Sequence, residues 1–157
     1  MQKITPYLWF DDNAEDAVEF YSTIFKNSRI ISIARYGKAG PSYEGNVMSI
    51  VFQLEDQEFI ALNGGPQFTF NEAVSFFVSC KNQKEIDYYW DALTADGGEE
   101  SMCGWLKDKF GVSWQVVPTA LSRLISSPDQ ERSAQAIEAM LKMKKLDIKA
   151  LEKAYNQ

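Results

Sequence analysis

The chain has 157 residues, of which 45 % are hydrophobic and 24 % charged, with a formal net charge of −6 and no histidine. That length suits one domain with a core large enough to do without disulfides or a structural metal, and no apolar run approaches the roughly 20 residues that span a bilayer. The missing histidine removes Ser-His-Asp and Cys-His catalysis, HExxH proteases and His-based zinc sites, and leaves Asp, Glu, Lys, Tyr or Cys as the available general bases.

The first apolar segment, Ile4 to Phe10, is aromatic-rich and predicts a buried strand. Asp12-Asn13 then signals a helix start, and apolar residues recur at Ala14, Ala17, Val18, Tyr21, Ile24 and Phe25 with the period of one helix face. Ile30 to Tyr36 reads as a second strand. A Gly/Pro/Ser-rich loop separates it from a third strand, Val47 to Leu54, and a short turn leads into a fourth, Glu58 to Leu62, ended by Asn63-Gly64-Gly65-Pro66. The pattern restarts with Val74 to Cys80 as a strand. Asn82 and Glu85 form a capping box for a helix whose apolar face is Ile86, Tyr89, Trp90 and Leu93, closed by Gly97-Gly98. Strands follow from Ser101 to Leu106 and from Val112 to Val117, joined by a turn at Lys107 to Gly111 in which Asp108 reads as a turn residue. After Pro118 the chain turns helical. Ser127-Pro128-Asp129-Gln130 predicts a cap, a first-turn proline and a capping-box glutamine, with an apolar stripe of Ala134, Ile137, Leu141 and the Met140/Met143 pair; Asp147 opens a last helix carrying Ile148, Leu151 and Tyr155.

Set against each other at an offset of 69 residues, the two halves align Asn13 with Asn82, Asp16 with Glu85, Phe20-Tyr21 with Tyr89-Trp90 and Ile24 with Leu93. The first strand, Ile4 to Phe10, falls on Ala73 to Ser79, so that Pro6 meets Ser75. Two copies of one β-α-β-β unit follow, and each leaves a sheet face that must be covered. The expectation is one domain over 1–157, with module one at about 1–66, module two at about 72–118 and a helical segment at about 119–157. That segment could cover a sheet edge or reach a partner subunit.

An acidic chain repels a phosphate backbone. The one dense basic stretch, Lys142, Lys144 and Lys145, reads as a helix C-terminus meeting its dipole. Cys80 and Cys103 are the only cysteines and lack a CxxC spacing, which fits reduced thiols in the cytoplasm. The N-terminal residues have no apolar core of a signal peptide. No nucleic-acid and no membrane partner is expected.

The segments PYLWF, DDNAEDAVEFY, ISIARYG, FIALNGGP, VSFFVSC, CGWLKDKFGVSWQVVP and KMKKLDIKALEKAY resemble those of the PhnB-like proteins of the vicinal-oxygen-chelate superfamily, which includes glyoxalases and bleomycin-resistance proteins. Many of these proteins carry the label "3-demethylubiquinone-9 3-methyltransferase". The resemblance runs through nearly the whole chain, the C-terminal helices included. It implies an α+β fold, with paired βαβββ modules forming a curled mixed sheet around a cup, plus C-terminal helices. It also implies a homodimer. In metal-dependent members it puts ligands near Pro6, at Ser75 and at Gln115, and often a histidine near Met48-Ser49. Here those positions offer a proline, a serine and a glutamine, too weak a set for a divalent ion. No metal and no cofactor is therefore expected. Methyl transfer from S-adenosylmethionine normally uses a doubly wound domain with a GxGxxG-like turn, and none follows a strand here.

With the resemblance turning Gln115 toward the cup, strand alternation sends Ser113 and Val117 the same way and Trp114 and Val116 to the other side. Ser75, Phe77 and Ser79 face the cup from their own strand, and Cys103 and Trp105 share a face of theirs. The cup-lining candidates are Gln115, Trp105, Ser75, Phe77, Cys103 and Asn63. Each also has an ordinary reading: Gln115 as a strand-pairing amide, Trp105 as core, Cys103 as a small buried thiol; as a nucleophile Cys103 lacks a histidine partner, though Lys107 or Lys109 could lower its pKa. Trp90 and Trp114 are expected in the core. Three functions are compatible. The first is a metal-free protein holding an unidentified small molecule in the cup between modules. The second is an enzyme on a small aromatic or quinone-like substrate, with Tyr7, Asp108 or Cys103 as base and no assigned catalytic residue. The third is a structural or regulatory dimer without a ligand.

Overall fold

The computed structural model describes residues 2–157. The chain divides after Phe70 into two units.

In the first unit, β1 (Tyr7–Phe10) is shorter than the apolar run that contains it, and Ile4 is 86 % exposed. Pro6 explains the late start. It has no N–H to give a ladder, although its carbonyl accepts from Ile60 N at 3.0 Å. Next come α1 (Ala14–Ile24), β2 (Ser28–Arg35), β3 (Val47–Leu54) and β4 (Gln57–Asn63). The sheet order is β1-β4-β3-β2, with β1 parallel to β4 and the other pairs antiparallel. The apolar face of α1, from Ala14 to Ile24, is buried and packs against β3 and β4. Tyr21, Phe52 and Phe59 form a stacked series there, with centroids 6.5 and 5.5 Å apart. Each fully buried side chain of this kind stabilises the fold by about 1.5–3 kcal/mol. The sequence is corrected on the cap: Asn13 makes no side-chain cap bond, and the first helical N–H, of Ala14, is accepted by Asn63 Oδ1 at 2.8 Å.

The second unit repeats the plan with β5 (Ser75–Cys80), α2 (Gln83–Thr94), β6 (Glu99–Glu100), β7 (Trp105–Lys107) and β8 (Ser113–Pro118), in the order β5-β8-β7-β6. β5 is parallel to β8, as β1 is to β4. The fold is α+β, as the sequence implies, with two four-stranded mixed sheets, neither closed into a barrel. The repeating unit is β-α-β-β-β; the short β6 was missed because two glutamates carry no strand pattern. Asn82 caps α2 by accepting from Glu85 N at 3.0 Å, while Glu85 Oε2 reaches back to Lys81 N at 2.7 Å, one residue earlier than a capping box requires.

One alignment needs correcting. The helices match at the sequence offset, Ala17 with Ile86, Tyr21 with Trp90 and Ile24 with Leu93, all buried. The strands match one residue further on: Leu8 and Phe10 are the buried residues of β1, and Val78 and Cys80 those of β5. Three residues join β1 to α1 and two join β5 to α2. A one-residue slip reverses every side chain in a strand, so Ser75 corresponds to Thr5 and not to Pro6.

The predicted strand from Ser101 to Leu106 is a turn followed by β7, with Cys103 and Gly104 at φ of +59° and +83°. The remainder is α3 (Ala120–Ile125), α4 (Gln130–Leu141) and α5 (Ile148–Tyr155). Asp129, not Ser127, caps α4, accepting from Arg132 N at 3.2 Å. The buried stripe of α4 holds Ser133 and Ala136, so the predicted stripe is rotated by about one residue and Leu141 is 57 % exposed. Asp147 caps α5 as expected, through Ala150 N at 2.9 Å. Val117, Leu121, Leu124, Ala136, Leu146 and Leu151 make a core that ties these helices to the end of β8.

Candidate functional site

The two faces of the second sheet have different fates because strand side chains alternate. Val78 and Cys80 of β5, Leu106 of β7, and Trp114 and Val116 of β8 are buried, and all three strands pack against α2. The other face is built in rows. The register sets Phe77 beside Gln115 and Gln115 beside Trp105, one row across β5, β8 and β7. The next row along the strands sets Ser79 beside Val117.

These residues line a cavity of about 560 Å³, with Cys103 at its edge from the turn before β7. Leu121, Ser122 and Ile125 of α3 and Met140 of α4 supply the opposite wall. No side chain on either wall is charged. Gln115 Nε2 donates to Ser75 Oγ at 3.0 Å, which fixes the amide and leaves its carbonyl oxygen free to accept from a guest.

The turn that presents Cys103 and Trp105 is clamped from both sides. Cys103 N donates to Met143 O and Gly104 N to Lys144 O, both at 2.8 Å, and Val116 N donates to Gly104 O at 2.8 Å. A Cβ on Gly104 would lie 2.8 Å from Val116 O, so only glycine fits here. Behind the row, Asp108 accepts from Phe110 N, Val112 N and Trp114 Nε1 at 2.9, 3.1 and 2.9 Å, fixing the turn between β7 and β8.

Of the six candidates, the structure brings five to this face: Phe77, Trp105, Gln115 and Cys103 on the cavity, and Ser75 bonded to Gln115. Asn63 lies in the first unit, beside a polar recess of about 470 Å³ that includes Asp11, Asp12, Glu15 and Tyr36. Its amide is committed there, to Ala14 N, Glu15 Oε1 and Val47 O, and its carbonyl accepts from Tyr36 Oη at 2.6 Å. The helical wall of the cavity was not read from the sequence. Leu121, Leu124 and Ile125 have helical spacing, but nothing in a lone amphipathic turn says which of them meets a sheet.

A metal fits the donor set poorly. Ser75 Oγ is engaged with Gln115, Pro6 has no side-chain donor, and among the described residues no three His, Cys, Asp or Glu side chains could hold an ion together.

Residues 2–117 match the model of the 3-demethylubiquinone-9 3-methyltransferase family. The chain belongs to this family. A solved family structure, the PhnB protein from Bacillus cereus, is 40 % identical, with a TM-score of 0.68 over 75 % of this chain and 100 % of its own. Protein PA1353 from Pseudomonas aeruginosa is 20 % identical, with a TM-score of 0.61 over 75 % of this chain and 98 % of its own. The fosfomycin resistance protein FosX from Listeria monocytogenes is 15 % identical, with a TM-score of 0.55 over 78 % and 94 %. These last two share the fold. Among curated proteins, none matches. The family model ends at Val117, short of the C-terminal helices that the sequence resemblance included, so the helical wall of the cavity lies outside the matched residues.

Proposed function

We propose that this family member binds a small molecule with an apolar, partly aromatic body on the outer face of β5, β8 and β7, without a metal. The observation that carries this reading is the cavity of about 560 Å³ with an uncharged lining. That volume is typical of small-molecule sites, which are mostly apolar with a few fixed polar groups. Trp105 and Phe77 offer ring faces, and Gln115 is the fixed polar group. An ionised group inside such a lining would lose its hydration without compensation, so the part of the ligand held here is neutral.

Binding ranks ahead of catalysis. The family description names a methyl transfer, and an enzyme of that kind needs an acid or base at the ligand. Of Tyr7, Asp108 and Cys103, only Cys103 lines the cavity, and Asp108 is spent on its own turn. The same reading takes the chain as a cytoplasmic homodimer. Ile30, Ile31 and Ile33, exposed on the edge strand β2, support self-association.

Native mass spectra of protein purified quickly, without chelator or metal-affinity steps, test both parts. The expected species is a dimer with a non-metal adduct of small-molecule mass, lost in Trp105→Ala and Gln115→Ala. A stoichiometric divalent ion would contradict the metal-free reading, and an adduct that survives both substitutions would contradict the site.

A further inference from the structure

Trp105 lines two concavities. The second, of about 140 Å³, also includes Glu72, Glu99, Glu100, Lys107 and Ser113. It sits on the neighbouring row of the same sheet. The register sets Ser113 beside Lys107 and Lys107 beside Glu99, two residues along each strand from Gln115 and Trp105. Two residues of strand span roughly 6.5–7 Å. The row without charge thus borders a row rich in it.

Three glutamates and one lysine line this pocket, and only Glu72 and Glu99 share the face of Lys107. Glu72 is paired with Lys107, and Glu100 accepts from Trp90 Nε1 at 2.9 Å with Lys144 Nζ at 4.0 Å. Glu99 makes no salt bridge among the described residues, though it stands beside Lys107 in the register and its charge acts on that ammonium. Ser113 is an independent sign. The residue is only 1 % exposed and its Oγ has no hydrogen-bond partner, though it lines the pocket. A buried hydroxyl left this way is costly unless something completes it. The carboxylates are too dispersed to chelate an ion. A group with several N–H donors can reach both a carboxylate and a hydroxyl.

We propose that this pocket is an ammonium subsite, and that the ligand of the neighbouring cavity is an aromatic or apolar primary amine. Its body packs on Trp105 and Phe77, and its –NH₃⁺ donates to Ser113 Oγ and Glu99. The indole wall adds a cation–π contribution. The proposal rests on the cavity being the ligand site, so its test separates the two.

Calorimetric titration with tryptamine and its neutral analogue tryptophol is the test. Tryptamine is expected to bind about fivefold tighter, a factor set by the exposure of Glu99. Glu99→Gln and Ser113→Ala should reduce that preference below about twofold, lowering tryptamine affinity more than tryptophol affinity. Because Glu99 is exposed, its variant keeps the test intact if Ser113→Ala misfolds. Equal affinities in the parent protein overturn the subsite and leave the cavity standing. If neither compound binds, methylammonium followed by amide correlation spectra decides. Shifts at residues 99–101 and 113 keep an ammonium site and reject the apolar cavity as its partner; no shifts reject both.

Discussion

Cys80 shows how one residue can record the quality of a core. It ends β5 with no exposed surface, and burial first, then the nearby Glu85 carboxylate, pushes its thiol up to about 12 from an ordinary value near 9. The folded state therefore keeps a proton that the unfolded state releases. This contribution to stability is complete below pH 9 and is lost as pH rises toward about 12. The loss can reach about 1.4 kcal/mol per pH unit. Urea midpoints should fall more steeply above pH 9 in the parent chain than in Cys80→Ala; parallel slopes would contradict the burial argument. Cys103, the other thiol, stands instead at the cavity. Spacing alone could not distinguish the two, because Cys103 reaches its place from a left-handed turn residue and not from a strand.

At the scale of elements, the β7–β8 hairpin governs the site. Lys107↔Ser113 and Trp105↔Gln115 hold their register only if the turn between them is fixed, and Asp108 fixes it with three accepted hydrogen bonds. Asp108→Ala leaves three donors without their acceptor and should cost roughly 3 kcal/mol in urea unfolding. A loss below about 1 kcal/mol would mean that the hairpin is held elsewhere. The aspartate was legible in the sequence as a turn residue, and the alternation of β8 correctly separated Gln115 and Val117 from Trp114 and Val116. The repeat was legible from its helices, where a cap and an aromatic–aliphatic face recur together. The strand alignment slipped because strand periodicity is only two residues and the loops before the helices differ by one. The helix α4 was misjudged for a related reason: Ala and Met populate both its faces, and only packing on Leu124 and Leu146 selects the side with Ser133 and Ala136.

For the whole molecule, the family pattern accounts for two βαβββ units, and the C-terminal helices add what the pattern lacks. Leu121, Ile125 and Met140 complete the cavity over the sheet face of the second unit. The sequence holds no histidine. In the second unit Gln115, a neutral side chain on the cavity, is held by Ser75. The most direct measurement is an amide and indole correlation spectrum recorded while tryptophol is titrated. The account predicts saturable shifts at the Trp105 indole, Phe77, Gln115, Leu121 and Ile125, with Asp11, Glu15 and Asn63 unmoved. Shifts confined to the first unit, or none at concentrations where the amine also fails to bind, would contradict it.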